Sequence, residues 1–296
     1  MAVPSLDALV ESGHDLVAVI SRPDAPSGRG RTLHPSPVAA RAAELGLEIL
    51  RPEHPRDPEF QERLRALAPD CCPVVAYGAL LPTSALRIPR HGWVNLHFSL
   101  LPRWRGAAPV QQSIIAGDAT TGATTFRIVK AMDAGPTYRT VTTPITPTTT
   151  AGELFDTLAV SGAALLAETM DLVAAGEEPT SQPEEGITLA AKIEVDDARL
   201  DWSRPAAELD RLIRGCTPAP GAWTLLRDER FKIGPATPEA GESLPPGTLI
   251  VERKSVAVAT GDGVLRLGQV QPMGKRPMAA ADWARGASLT PGERLG

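Results

Sequence analysis

Hydrophobic and polar positions along the first hundred residues switch repeatedly between helical and strand spacing. Where apolar residues recur every three or four positions, helices are predicted over residues 4–12, 37–45 and 58–68. Short continuous apolar runs predict strands at residues 16–20, 48–50, 71–76 and 93–96. Helices that alternate with apolar strands are typical of parallel βαβ units, so we expect an open, mostly parallel α/β sheet. Ligands of such a sheet bind beyond the carboxyl ends of its strands.

The pattern changes towards the C-terminus, where a long apolar helix is followed by short strands. The middle of the chain predicts a helix over 111–116, strands at 123–129 and 137–143, and the long helix over 151–175. A helix at 206–214 then precedes strands at 223–226, 230–233, 248–252, 255–260 and 264–270, whose Gly and Pro turns fit a small β-barrel. We therefore expect a catalytic domain over 1–176, an extended linker over 177–198 and a barrel domain over 199–296.

Composition limits the class of protein. With 43% hydrophobic residues in 296 positions, the chain is long enough to bury the core of one large or two modest domains. No apolar run approaches the roughly 18 residues of a membrane span, and no secretory signal is visible, so we expect a cytoplasmic protein that does not enter a membrane. The three cysteines have neither metal-ligand nor disulfide spacing and are expected to be buried thiols.

Charge is distributed unevenly along the chain. The whole chain has a net charge of −5. Residues 151–203 alone carry −10, whereas residues 101–150 and 204–296 each carry +3. A polyanion could therefore bind the basic segments and avoid the acidic one.

The residues that suggest chemistry stand in the segment 95–109. Asn95 and His97 are two positions apart at the end of a predicted strand, so both side chains face one side of the sheet. A histidine there can accept a proton from a nucleophile, and an amide can donate to a developing oxyanion. Asp133, between a strand and a Gly-Pro break, is suited to hold His97 in its useful tautomer. Without a nucleophile motif, a phosphate loop or clustered metal ligands, the residues favour direct acyl transfer between two bound substrates.

Each of these residues also has an ordinary structural interpretation. A single histidine after a strand is more often a satisfied core residue, and an aspartate before Gly-Pro is more often a turn residue. Ser99 and Arg103 could equally cap a helix or form surface pairs.

Longer motifs carry a resemblance to a family. The run Asn-x-His-x-Ser-Leu-Leu-Pro-x-x-Arg-Gly-x-x-Pro at 95–109 resembles the signature of folate-dependent formyltransferases, and Met-Asp-Ala-Gly-Pro at 132–136 is similar to a second element of that family. Nearly the whole chain resembles the family members that act on tRNA, through segments 22–31, 35–38, 75–78 and 200–202 and a C-terminal barrel.

The resemblance implies a fold, a reaction and a set of site residues. The fold would be a Rossmann-like, open, mostly parallel sheet followed by a small OB-like β-barrel. The reaction would transfer the formyl group of 10-formyltetrahydrofolate to the α-amine of methionyl-initiator tRNA, for translation initiation, without a metal and in a monomer. The resemblance assigns catalysis to Asn95, His97 and Asp133, folate contacts to Ser99, Leu100, Leu101, Pro102, Tyr77 and Gly78, and acceptor-stem contacts to Arg29 and Arg31. Arginines on a glycine-rich loop are also often simply exposed to solvent.

The start of the sequence departs from the family pattern. Members begin with an apolar strand and a turn, whereas this sequence begins inside that turn, so we expect it to lack a strand of about 5 to 10 residues. Because that strand would be central in the sheet, we expect a chain of this length to fold poorly.

Two rival functions stay open at this level. A small amine, such as an amino sugar nucleotide, could replace tRNA as the acceptor, although the barrel and the Arg29 loop argue against it. An RNA-binding protein with an inactive formyltransferase domain is a second alternative, and the presence of Asn95, His97 and Asp133 argues against it.

Overall fold

The computed structural model describes residues 1–27 and 32–296, so the predicted contacts of Arg29 and Arg31 lie outside the described residues. The chain forms two compact units that each combine several stretches of sequence. The first unit comprises Met1–Gly106, Thr121–Thr143 and Phe155–Leu189, and the second comprises Ala107–Thr120, Pro144–Leu154 and Ala190–Gly296.

The predicted helices and strands occur in the predicted order, together with several short elements that the sequence analysis did not predict. The helices are α1 (Ala2–Glu11), α2 (Pro37–Glu44), α3 (Pro58–Leu67), α4 (Thr83–Leu86), α5 (Pro109–Ala116), α6 (Ala151–Ala174), α7 (Ala206–Gly215) and α8 (Ala280–Gly286). The strands up to residue 190 are β1 (Val19–Ile20), β2 (Ala25–Ser27), β3 (Thr32–His34), β4 (Ile49–Leu50), β5 (Cys72–Val75), β6 (Trp93–His97), β7 (Arg105–Gly106), β8 (Thr120–Arg127), β9 (Thr137–Pro144) and β10 (Leu189–Ala190). The remaining strands are β11 (Trp223–Leu226), β12 (Glu229–Ile233), β13 (Ala236–Glu239), β14 (Leu249–Val251), β15 (Val256–Ala259), β16 (Val264–Leu267), β17 (Gln269–Pro272) and β18 (Met278–Ala279).

The main sheet of the first unit has the strand order β5-β6-β8-β9. The β5/β6 pair is parallel, as the sequence predicts, but β6 and β8 are antiparallel, so this sheet is mixed. A second parallel pair, β1 with β4, forms a separate two-stranded sheet. Val75 pairs with Leu96 near the carboxyl ends of β5 and β6, so the segments that follow these two strands emerge at the same sheet edge.

A cavity of about 710 Å³ lies within the first unit and is lined by residues of both β1 and β5. Leu6 and Leu9 of α1 also line it, and the buried Ser5 hydroxyl beside them has no hydrogen-bond partner among the described residues. The folding defect expected from the sequence stays a prediction.

The thiols behave as core groups. Cys72 and Cys216 are buried and Cys71 is half-buried. Removal from water disfavours the thiolate and raises the pKa of Cys216 to about 11 and that of Cys71 to about 12.

Helix α6 corrects the statement, made from the sequence, that no apolar run approaches the length of a membrane span. Its 24 residues are long and apolar enough to cross a membrane by length and composition alone. Half of its most apolar window is buried inside the protein, however. Phe155 packs edge-on against Phe98, and Thr169 shares a 2.8 Å hydrogen bond with Thr125 of β8. These contacts are those of a helix in a protein core.

The second unit contains two four-stranded sheets, ordered β11-β12-β17-β18 and β13-β16-β15-β14. The chain passes from β12 into β13, which belongs to the other sheet. It returns when it passes from β16 through Gly268 into β17. The two crossing points are joined, since Gly234 N–H donates to the Gln269 carbonyl at 2.8 Å. A side chain at Gly268 would place its Cβ 2.6 Å from the Pro235 carbonyl oxygen, so glycine allows the close approach. The sheets therefore meet at strands that bend from one sheet into the other.

Candidate active site

Strand β6 presents Asn95 and His97 on one face of the sheet. Asn95 lies directly opposite Phe126 of β8, and residues opposite each other in an antiparallel pair share a face. The Phe126 ring in turn meets His97 edge-on, with ring centroids 6.3 Å apart. The amide and the imidazole therefore border one site, as their spacing in the sequence predicts.

The two ring nitrogens of His97 have different partners. Nε2 lies 2.8 Å from the backbone carbonyl oxygen of Trp104, and a carbonyl only accepts, so Nε2 carries a proton. Nδ1 lies 3.7 Å from the Asp133 carboxylate, which is an ion-pair distance and too long for a direct hydrogen bond. The side chain of His97 is only 7% exposed. Its orientation is therefore fixed by a backbone carbonyl, while Nδ1 is the ring nitrogen left for chemistry.

The Asp133 carboxylate is held by a backbone N–H group. One carboxylate oxygen accepts the Gly106 N–H at 2.8 Å, and the same oxygen faces His97. Asp133 has a φ of +48°, a left-handed conformation that residues with side chains adopt at a cost. Two residues later, a Cβ on Gly135 would lie 1.7 Å from the Arg127 carbonyl oxygen, so glycine is required there. The loop is thus shaped to bring a carboxylate to the imidazole.

Asn95 is half-buried, and its side-chain amide has no partner in the part of the chain that the structure describes. A free amide donor beside a fixed imidazole suits the stabilisation of negative charge that develops on a reacting oxygen.

The run Ser99–Pro102, which follows β6, is tied to β8. Thr124 donates its hydroxyl to the Ser99 carbonyl at 2.7 Å and accepts the Leu101 N–H at 3.3 Å. Ser99 itself is fully buried and donates its hydroxyl to the Arg103 carbonyl at 2.6 Å. The Ser99 side chain is therefore used within the loop, and the half-exposed residues Leu100, Leu101 and Pro102 provide its accessible surface.

Tyr77 and Gly78 follow β5 and emerge at the same sheet edge as the run after β6. Tyr77 packs against the cluster of Phe60, Leu64 and Trp93, and burial raises the pKa of its hydroxyl. Gly78 is exposed and has a φ of +76°. The two residues therefore differ, because the tyrosine supports the loop from within and the glycine presents backbone to solvent.

Comparisons with known proteins decide the family. A family model described as "Formyl transferase" matches residues 2–170, and one described as "Formyl transferase, C-terminal domain" matches residues 192–288. The chain belongs to the formyl transferase family.

Curated relatives of this formyl transferase include a methionyl-tRNA formyltransferase of Nocardioides sp., 60% identical over 100% of this chain and 95% of the relative. A methionyl-tRNA formyltransferase of Streptomyces coelicolor is 59% identical over 100% and 96% of the two chains. Among solved structures, an N-formyltransferase from Helicobacter canadensis with folinic acid and dTDP-3-aminofucose has a TM-score of 0.66 and 15% identity, over 92% of this chain and 95% of that one. At that identity the structural likeness concerns the fold.

The candidate site also contains residues that sequence reasoning did not find. The segment predicted as an extended linker forms part of the site's frame, since Thr180 pairs with Thr137 and β10 pairs with β7. Gln182 of this segment hydrogen bonds to the loop of Asp133, and Thr188 hydrogen bonds to Trp104. Neither residue stands in a motif, and the acidic, proline-containing surroundings of Gln182 favour a linker assignment.

Proposed function

We propose that this formyl transferase moves the formyl group of 10-formyltetrahydrofolate to the α-amine of methionine esterified to initiator tRNA. The observation that carries the proposal is the 3.7 Å approach of the Asp133 carboxylate to His97 Nδ1, on the sheet face that Asn95 shares. The extent of identity to methionyl-tRNA formyltransferases, 60% over the whole chain, supports the choice of donor and acceptor.

The proposed reaction joins the amine nitrogen to the formyl carbon and breaks the bond from that carbon to folate N10. As the neutral amine attacks, Asn95 donates to the carbonyl oxygen, which becomes an oxyanion. His97 Nδ1 takes the proton that the amine must lose, because Nε2 is already occupied by the Trp104 carbonyl. The same proton then passes to N10, which leaves as an amine, so the histidine is regenerated. Asp133 stabilises the imidazolium that forms in between.

The donor is proposed to bind along the two loops after β5 and β6. Leu100, Leu101 and Pro102 would contact the folate through side chains and backbone, and Ser99 would support them from within. Gly78 would let backbone approach the pteridine, with Tyr77 behind it. The shared position of both loops at one sheet edge supports this assignment.

The acceptor is proposed to use residues away from the catalytic trio. Arg29 and Arg31 would contact phosphates of the acceptor stem. Residues 199–296 would form an OB-like barrel that holds the tRNA, after a catalytic domain over 1–176 and a linker over 177–198. The bends that join the two C-terminal sheets and the net charge of +3 over 204–296 support a tRNA-binding barrel. We further propose that the enzyme works in the cytoplasm as a monomer.

A formyl-transfer assay tests the function. Purified protein, 10-formyltetrahydrofolate and methionyl-initiator tRNA are expected to give formyl-methionyl-tRNA, and His97→Ala is expected to lower the rate by about 10²- to 10⁴-fold. His14→Ala is the matched control, because His14 also contacts a carboxylate, that of Asp171, at 3.0 Å. Transfer to a dTDP-amino sugar or to free methionine but not to the charged tRNA would overturn the acceptor. Binding of tRNA without any transfer would support the inactive RNA-binding alternative.

A further inference from the structure

Gln182 occupies an unusual place for an amide in an acidic connecting segment. Its neighbours Ser181, Pro183 and Glu184 are exposed, whereas Gln182 is half-buried. Its Nε2 donates to two backbone carbonyls of the catalytic loop, that of Asp133 at 2.8 Å and that of Gly135 at 2.7 Å. Both of its amide hydrogens therefore point into the loop that carries the catalytic carboxylate.

The other end of the same amide binds the opposite wall of the site. Gln182 Oε1 accepts Arg105 Nε at 3.1 Å and Arg105 Nη2 at 2.7 Å. With two hydrogens donated and two bonds accepted, the amide has its full complement of partners. The pattern also fixes its orientation, because a flipped amide would direct its oxygen at two carbonyls and its hydrogens at a guanidinium.

The hydrogen bonds of Gln182 to the Asp133 loop and to Arg105 lie on both sides of the catalytic pair, Asp133 and His97. Arg105 precedes Gly106, whose N–H binds the Asp133 carboxylate, so Gln182 connects both ends of that hydrogen bond. The connection also offsets the cost of the left-handed backbone at Asp133. A few residues later, Thr188 accepts the Trp104 N–H at 2.8 Å, and the Trp104 carbonyl holds His97 Nε2. The segment that contains Gln182 and Thr188 thus fixes both partners of the imidazole, the Asp133 carboxylate and the Trp104 carbonyl.

We propose that Gln182 is a positioning residue for formyl transfer, which acts by holding the Asp133 carboxylate at the distance that the catalytic histidine requires. The inference rests on the proposed function for its kinetic consequence. It assigns to the connecting segment a part in catalysis that its composition does not suggest.

Kinetics of Gln182→Met test the proposal, since methionine has a similar volume and its side chain cannot form these four hydrogen bonds. We expect kcat to fall about 10- to 100-fold, because a displacement near 1 Å at a catalytic group has such an effect, with KM for the donor and for the charged tRNA within about twofold of wild type. Glu184→Gln, an exposed change in the same segment, is the control and should leave kcat unchanged. An unchanged kcat in Gln182→Met, or an effect confined to KM, would overturn the proposal.

A double mutant separates positioning from simple stabilisation. In an Asp133→Asn background, Gln182→Met should lower kcat by less than about threefold, while its effect on the melting temperature should be the same in both backgrounds. An equal loss of kcat in both backgrounds would mean that Gln182 does not act through Asp133. If Gln182→Met does not fold, Arg105→Met, which frees only the Gln182 oxygen, is expected to show the same dependence on Asp133 with a smaller loss.

A spectroscopic measurement keeps the inference separate from the function. The imidazole ¹⁵N resonances of His97, identified by their absence in His97→Gln, should shift in Gln182→Met and in Asp133→Asn but not in Glu184→Gln. If these shifts occurred but the wild-type protein had no transferase activity, the proposed function would be contradicted. The positioning role of Gln182 would still stand. Normal transfer by wild type with no shift in Gln182→Met would contradict the positioning alone.

Discussion

His97 is held between the Trp104 carbonyl at 2.8 Å from Nε2 and the Asp133 carboxylate at 3.7 Å from Nδ1. The backbone contact, the shorter of the two, decides the tautomer. In the neutral ring, the Nδ1 lone pair faces a carboxylate, and protonation of Nδ1 turns that contact into an ion pair. The catalytic proton is therefore expected to be carried on the side of the ring that faces Asp133.

Asp133→Asn should slow transfer by about 10²-fold or more, because the amide is neutral and cannot stabilise the imidazolium. Asp171→Asn is the matched control, since Asp171 also contacts a histidine and lies outside the site. Single-turnover formylation of charged tRNA measures both. Equal rates for Asp133→Asn and wild type would show that the carboxylate charge has no part in the reaction.

Asn95→Ala should lower kcat by about 10²- to 10³-fold, equivalent to about 2.7 to 4 kcal/mol, through loss of an oxyanion donor. Asn95→Asp retains the shape but has no N–H, so it should be at least as slow. A fully active aspartate variant would exclude amide donation. Asn95 is the only asparagine in the sequence, so selective ¹⁵N-asparagine labelling gives one side-chain NH₂ signal, which should shift when a formyl-folate analogue binds.

Thr124→Val should raise KM for the formyl donor about 3- to 10-fold, because the Ser99 carbonyl and Leu101 N–H lose their shared partner. Thr125→Val is the control: Thr125 is also fully buried, and its hydroxyl binds Thr169 of α6 instead. Both variants should lose about 1 to 3 kcal/mol of unfolding free energy. The same change in donor KM in both would mean that only general stability is affected.

Glu293 should make folding sensitive to acid. It accepts Arg227 Nε at 2.6 Å and Nη2 at 2.9 Å, and these bonds, with one from the Thr290 N–H, lower the pKa of its carboxyl to about 2. A lowered pKa means that the pair stabilises the fold above the unfolded pKa of about 4.3 and loses that effect as pH falls towards 2.

Denaturant unfolding of Glu293→Gln should therefore show a loss of about 1 kcal/mol at pH 7, a modest value because Arg227 is half-exposed, and a shrinking difference below pH 4. In an Arg227→Gln background, Glu293→Gln should lower the free energy of unfolding much less. A constant difference between pH 7 and pH 2.5 would show that the ion pair is not its source.

Local structure was largely predictable from the sequence. Helix α2 begins where the sequence predicts, with Ser36 as its cap, whose hydroxyl accepts the Ala39 N–H at 3.1 Å, and strand β6 carries Asn95 and His97 on one face. Prediction was weaker where the pairing of strands decides whether a segment forms a strand and in which sheet. Only Val19–Ile20 of the apolar run 16–20 is paired as strand, and the predicted strand at 264–270 divides at Gly268 between two sheets. Pairing partners lie far along the chain, so local patterns do not reveal them.

The sequence by itself determined which side chains are candidates for acyl transfer, because residue type and strand spacing place an amide and an imidazole on one face. Only the tertiary structure decided how the imidazole is used. The Trp104 carbonyl, the Asp133 carboxylate and the Gln182 amide come from separate loops, and their hydrogen bonds exist only once the chain has folded. Those bonds fix the tautomer of His97 and brace its partner, since the direction of a hydrogen bond depends on where both atoms lie in space.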